Sequence, residues 1–135
     1  MGCLFCKIIA GEIPSKKVYE DDLIYAFEDI NPEAPVHFLI VPKKHIKNAE
    51  ELSEKDKDLI GHVFLTAAKI LKEKGVTNGF RIVNNCKEDG GQTVDHLHFH
   101  VLAGRSLQWP PGWERGQELN LPFFYFLKKF LYNFY

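Results

Sequence analysis

The chain has 135 residues, with 17 basic side chains against 18 acidic ones and a net charge of -1. That length is one domain with a core large enough to fold without disulfide staples. The charge balance argues against broad electrostatic capture of nucleic acid or of acidic membranes. No run approaches the roughly 20 apolar residues of a membrane span, and no basic-then-apolar secretion signal opens the chain. Three cysteines, an odd count, fit a reducing compartment better than a disulfide framework, so the expected location is cytoplasmic. Met1-Gly2-Cys3 could expose a glycine for acylation, but the usual signal has Ser or Thr where this chain has Cys6.

In chain order, a short strand around Lys17–Glu20 and a clearer one over Leu23–Phe27 flank a hairpin turn at Glu20-Asp21-Asp22. Asn31-Pro32-Glu33-Ala34-Pro35 breaks the chain, because each proline removes a ladder donor and restricts its predecessor. Val36–Val41 is a strand stopped by Pro42. Ser53 with Asp56 three positions on predicts a helix start. Leu59, Ile60, Val63, Phe64, Ala67, Ile70 and Leu71 follow at helical spacing, and Gly75 supplies the stop. Gly79–Asn84 and Val94–Leu102 complete the strands. The sum is an α+β domain with an antiparallel sheet packed on the helix.

After Trp109-Pro110-Pro111-Gly112 the pattern changes, and Phe123 to Tyr135 holds eight of the chain's 18 aromatic residues. Phe123, Phe126, Leu127, Phe130, Leu131 and Phe134 form a helical stripe, with Phe124, Tyr125 and Tyr132 off it. The domain is therefore read as residues 1–113 and an aromatic-rich extension as 114–135. The extension is a helix docked on the domain or on a dimer, a poorly ordered appendage, or a membrane-interface anchor.

His96-Leu97-His98-Phe99-His100 carries the most chemical information. In a strand, alternation puts the three imidazoles on one face and Leu97, Phe99 and Val101 on the other. Neighbouring histidines then lie about 6.5–7 Å apart at Cα, too far for all three to share one metal at bonds near 2 Å. Spaced imidazoles suit an extended, charged substrate. Asp89-Gly90-Gly91-Gln92-Thr93 just upstream reads as a phosphate cradle, with glycines permitting close backbone approach and amides plus a hydroxyl meeting an anion. Neutral imidazole is nucleophilic near pH 7, so a histidine can attack phosphorus without a separate activating base.

Gly91-Gln92-Thr93-Val94-Asp95-His96-Leu97-His98-Phe99-His100-Val101-Leu102 resembles the signature of the histidine triad (HIT) nucleotide-binding family. Gly104-Arg105 and Trp109-Pro110-Pro111-Gly112 resemble its Hint branch. Ile13-Pro14, Ala26-Phe27, Ala34-Pro35 and Ile40-Val41-Pro42-Lys43-Lys44-His45 match as well, so the resemblance runs from about residue 4 to residue 112. It implies a HIT-like five-stranded antiparallel sheet with one long and one short helix, and a homodimer joining two sheets. It implies cleavage of the P–N bond of nucleoside 5′-phosphoramidates. By the same resemblance His98 matches the nucleophile, His100 a group near phosphate and leaving group, and His37 a further active-site histidine. Asn85, Gly91, Gln92 and Thr93 match phosphate-side and ribose-side contacts, and Asp29 the carboxylate that binds the ribose hydroxyls. Phe5, Ile8, Ile30 and Leu39 match the apolar walls around a purine base, the substrate being an AMP- or GMP-type nucleotide.

Cys3-x-x-Cys6 taken alone is a zinc half-site, a redox dithiol or a pair of idle thiols. The resemblance to bacterial triad proteins adds His45 and His96, and two thiolates with two imidazoles would make a closed, structural zinc site. Cys86 and His62 read as packing or surface residues. Two departures from the Hint pattern stand out. Thr93 replaces a common Ser, as in the dinucleoside-polyphosphate hydrolase branch, and the chain continues past Gly112. Three functions remain open: a phosphoramidase, a dinucleoside-polyphosphate hydrolase and a nucleotide-binding regulatory module.

Overall fold

The structure, a computed structural model, describes residues 2–112. The aromatic stripe of 123–134, and with it the extension 114–135, lies outside the described residues. A short helix α1 (Leu4–Ile9) precedes the hairpin β1 (Lys17–Glu20) and β2 (Ile24–Glu28) and then β3 (Val36–Pro42). Two short 3-10 turns, Ala49–Glu51 and Glu54–Asp56, lead into the long helix α2 (Lys57–Glu73), followed by β4 (Phe80–Val83) and β5 (Phe99–Ala103). The strands form one five-stranded sheet in the order β1-β2-β3-β5-β4, with every neighbouring pair antiparallel. The expected α+β architecture is what the chain adopts.

Both faces of the sheet are covered, which explains why β2 and β3 read as continuous apolar runs rather than alternating ones. Ile24, Ala26, Phe38, Ile40, Phe99, Val101 and Ala103 pack with Val63, Ala67, Ile70 and Leu71 of α2. On the other face Tyr25, Phe27, Leu39 and Val41 pack with Phe5 and Ile8 of α1. The same alternation puts His37 on the α1 side of β3, one residue from Phe38. Among the described residues, no helix is long and apolar enough to cross a membrane.

Several boundaries differ from expectation, each for a local reason. Asp21 Oδ1 accepts the amides of Leu23 and Ile24 at 2.8 and 3.0 Å, so the hairpin turn includes Leu23 and the strand starts one residue later. Asp56 accepts the Ser53 amide at 3.0 Å as the capping pattern requires, but the pair opens a 3-10 turn before α2. That bond, with Lys44 Nζ at 3.0 Å, holds the Asp56 carboxyl below its ordinary pKa. Gly75, at φ +77°, ends α2. Phe64 sits at the margin of the helix stripe, half exposed, with its ring 6.2 Å from that of Phe99.

The largest correction concerns the triad segment, expected as a strand from Val94. The ladder begins only at Phe99. Before it, the Leu97 amide bonds to the Ile46 carbonyl (2.6 Å) and the His96 amide to Val94 (2.9 Å), so the chain runs against the 42–46 loop. The alternation survives without the ladder: Leu97, Phe99 and Val101 all reach the α2 core.

Candidate active site

His37, His98 and His100 converge on the α1 face. The His98 and His100 ring centroids are 5.2 Å apart, and so are those of His37 and His100. Their hydrogen bonds fix which nitrogen carries the proton. The Glu33 amide donates to His37 Nδ1 at 3.0 Å, so that nitrogen is an acceptor and the ring proton is on Nε2. His37 Nε2 lies 2.9 Å from His100 Nδ1 and 3.4 Å from Asp29 Oδ2. His100 Nδ1 therefore accepts, which leaves its Nε2–H free to donate. Burial, with His98 and His37 close by, lowers the His100 pKa to about 4, so its ring is neutral at pH 7.

His98 has the opposite tautomer. Its Nδ1 lies 2.7 Å from the His96 carbonyl, so Nδ1–H donates and Nε2 keeps its lone pair. The ring is only 3% exposed and meets the edge of Phe5 at 5.1 Å. One imidazole thus offers an electron pair and its neighbour offers a proton.

The loop between β2 and β3 sets this pattern. Asp29 Oδ1 accepts the Asn31 amide (2.8 Å), and Arg105 Nε donates to the Glu33 carbonyl (2.9 Å). A Cβ on Gly104 would approach Pro35 Cβ to 2.9 Å, so glycine there lets β5 and the loop close up. Gly104 and Arg105 thereby brace the turn whose amide orients His37.

His96 faces elsewhere. It is fully buried, and its Nε2–H donates to the Pro42 carbonyl at 2.7 Å, leaving the Nδ1 lone pair turned towards Cys3 and Cys6. That nitrogen is 3.3 Å from Cys3 Sγ, 3.5 Å from Cys6 Sγ and 3.1 Å from His45 Nδ1, and His45 Nδ1 is 3.4 Å from Cys6 Sγ. A tetrahedron with bonds near 2.3 Å to sulfur and 2.05 Å to nitrogen has edges of about 3.3 Å for N–N and about 3.5 Å for S–N. The four donors match those edges, so this set fits a zinc-sized ion. Burial and the adjacent Cys3 push the Cys6 thiol up. Asp29, His37 and His100 also lie close enough to share an ion. They fit one poorly, because the Glu33 amide occupies His37 Nδ1 and keeps the proton on the nitrogen that would have to bind.

The remaining expected residues divide. Phe5, Ile8 and Leu39 are buried together beside the histidines, whereas Ile30 is 91% exposed and closes no wall among the described residues. Asn85 is half-buried. The glycine loop is internally bonded: the Gly91 amide donates to Glu88 and the Gln92 amide to Lys87. The Gln92 carboxamide bridges Lys47, Lys87 and Val94 at 2.8–3.0 Å. A Cβ on Gly90 would collide with the Cys86 carbonyl, so that glycine serves the turn itself. Thr93 borders a depression shared with Cys3, Cys6, His45 and Lys47. The sequence reading missed the Glu33 amide and Asn84, whose Nδ2 donates to the His98 carbonyl at 2.9 Å. A carboxamide at a strand end carries no signal that separates it from its neighbour Asn85.

The HIT domain family matches residues 10–107. The chain belongs to the HIT family. It is 52% identical over 109 residues to an uncharacterised HIT-like protein of Synechococcus elongatus, covering 81% of this chain and 96% of that one. It is similar to a HIT family hydrolase from Legionella pneumophila (TM-score 0.80, 46% identity, 82% of this chain and 100% of that one). It is also similar to a zinc-bound histidine triad family protein from Mycobacterium smegmatis (TM-score 0.69, 30% identity, 78% and 76%). The solved HIT structures share the fold described above.

Proposed function

We propose that this HIT protein is a Hint-type hydrolase that cleaves the P–N bond of purine nucleoside 5′-phosphoramidates through a nucleotidyl-His98 intermediate. The observation that carries the reading is the pair of opposed tautomers, His98 with Nε2 unprotonated beside His100 with Nε2 protonated. In the first step the His98 Nε2 pair attacks phosphorus, and the P–N bond breaks as the nitrogen, which has two hydrogens in the P–NH2 group, takes a third from solvent and leaves as neutral amine. His100 Nε2–H donates to a phosphoryl oxygen, and His37, fixed by the Glu33 amide, keeps His100 in that tautomer. In the second step water attacks phosphorus and His98 leaves as neutral imidazole, the released amine or solvent taking the water proton. Phe5, Ile8 and Leu39 offer the apolar wall for a purine, and Asp29 the acceptor for ribose hydroxyls.

Cys3, Cys6, His45 and His96 would hold a zinc ion, which when bound supplies a cross-link between the N-terminus and the sheet. Those residues flank Phe5 and present the His96 carbonyl to His98, so the ligand set places two of the contacts that orient the nucleophile. The Zn-bound relative supports this assignment. The outer edge of β4, which carries the exposed Phe80, with Phe64 and Leu65 exposed on α2, supports a homodimer formed by edge pairing. The odd count of three cysteines accords with a cytoplasmic location. The deciding experiment compares turnover of adenosine 5′-phosphoramidate with that of a diadenosine polyphosphate. Preference for the former supports the proposal, preference for the latter assigns the polyphosphate branch, and binding of AMP without turnover of either assigns a regulatory module.

A further inference from the structure

The β4–β5 ladder ends at the pair Val83 and His100, and β5 itself begins at Phe99. His98 lies beyond it, where no regular rung among the described residues holds the main chain. The segment is instead tied by three bonds that are not ladder rungs: Leu97 amide to Ile46 carbonyl, His96 Nε2 to Pro42 carbonyl, and Asn84 Nδ2 to His98 carbonyl. The first two anchor residues 96 and 97. Only the third acts on His98 itself, and it comes from the residue that follows the last rung of β4. The His98 ring is in turn fixed to the main chain through Nδ1 and the His96 carbonyl, so the position of Nε2 follows the backbone of residues 96–98.

We infer that Asn84 is a positioning residue for the reaction: its carboxamide N–H replaces the missing ladder rung and sets the peptide plane that carries the nucleophile. This rests on the reading of His98 as nucleophile. Asn84 touches no reacting atom. A loss of aim, rather than of binding, is what its removal should produce, since displacements of about 1 Å at a reacting group cost on the order of 100-fold in rate.

The test uses Asn84→Asp, which keeps the shape but replaces the donor with an acceptor facing the His98 carbonyl, and Asn84→Ala. Each is compared with the full-length wild type for kcat and KM on adenosine 5′-phosphoramidate and for AMP affinity by calorimetry. The expected result is a loss of about 10- to 100-fold in kcat in both variants, with KM and AMP affinity within about threefold of wild type. Asn84→Asp should be no better than Asn84→Ala although it is isosteric. An Asn84→Asp protein with near wild-type kcat would overturn the inference, because volume and not donation would then matter. AMP affinity falling in step with kcat would also overturn it, by making Asn84 a binding contact. Variants that fail to fold where wild type folds would assign Asn84 to the fold alone. In the wild-type protein, a scalar coupling between Asn84 Nδ2 and the His98 carbonyl carbon reads the bond directly, and its absence would overturn the inference without any variant. If wild type itself forms no nucleotidyl-His98, the functional reading fails and this role for Asn84 fails with it; active wild type with a silent Asn84→Asp sinks Asn84 alone.

Discussion

His100 makes stability depend on pH in a direction opposite to that of a salt-bridged histidine. Its pKa falls from 6.5 to about 4 on folding, because burial and the His98 and His37 imidazoles disfavour the charged ring, opposed only by Asp29. Between those values the unfolded chain binds a proton that the native chain does not, so lowering the pH favours unfolding. The contribution is complete above about pH 6.5 and is lost as pH falls towards 4. The gap sets a ceiling of about 3 kcal/mol. With 22% of the side chain meeting water, about 2 kcal/mol is the expected size after screening. Urea denaturation at pH 7.5, 6, 5 and 4.5 should therefore show wild type losing stability faster than His100→Gln, the difference approaching 2 kcal/mol. Asp21 and Asp56, whose carboxyls are also held below their ordinary range, titrate alike in both proteins and drop out of the difference. Parallel curves for the two proteins would refute the assignment of a half-buried, neutral His100.

Other expectations follow from the same contacts. Replacing His98 with Ala should lower turnover by several orders of magnitude while AMP binding remains measurable by calorimetry. Metal analysis of protein purified without chelators should find about one zinc per chain, and a Cys3→Ser/Cys6→Ser pair should lower Tm and abolish that zinc. An unchanged Tm in that variant would remove the structural role of the cluster. Phe38→Ala, which empties a site beneath α2 where the ring is 1% exposed, should cost about 3–5 kcal/mol in urea unfolding. Arg105→Leu releases the Glu33 carbonyl and should lower kcat more than AMP affinity, by loosening the turn that holds His37.

What could be read from the residues followed from periodicity. The 3.6-residue spacing of Val63, Ala67, Ile70 and Leu71 placed α2, and the two-residue spacing of the histidines placed them on one face even where the ladder is absent. Cys3 and Cys6 make one local pair, but His45 and His96 are distant in the chain, and only the likeness to a family could join them to that pair in advance. Contacts set by loop closure were not legible. The Glu33 amide on His37 depends on a main-chain turn that any residue could make, and Asn84 and Asn85 differ only in where their carboxamides reach. The glycine loop shows the limit most clearly. Gly90 and Gly91 marked a turn correctly, but whether its amides face outward or bond within the loop is decided by Gln92 bridging Lys47, Lys87 and Val94.

Covalent chemistry at His98 is open to a direct test, because its intermediate can be trapped. The protein mixed with excess adenosine 5′-phosphoramidate, quenched within milliseconds in alkali and digested, should yield one peptide carrying an adenylyl group on His98. Its formation should be at least as fast as steady-state turnover. Product formation with no adduct, or an adduct on His96 or His100, would exclude His98 as the nucleophile.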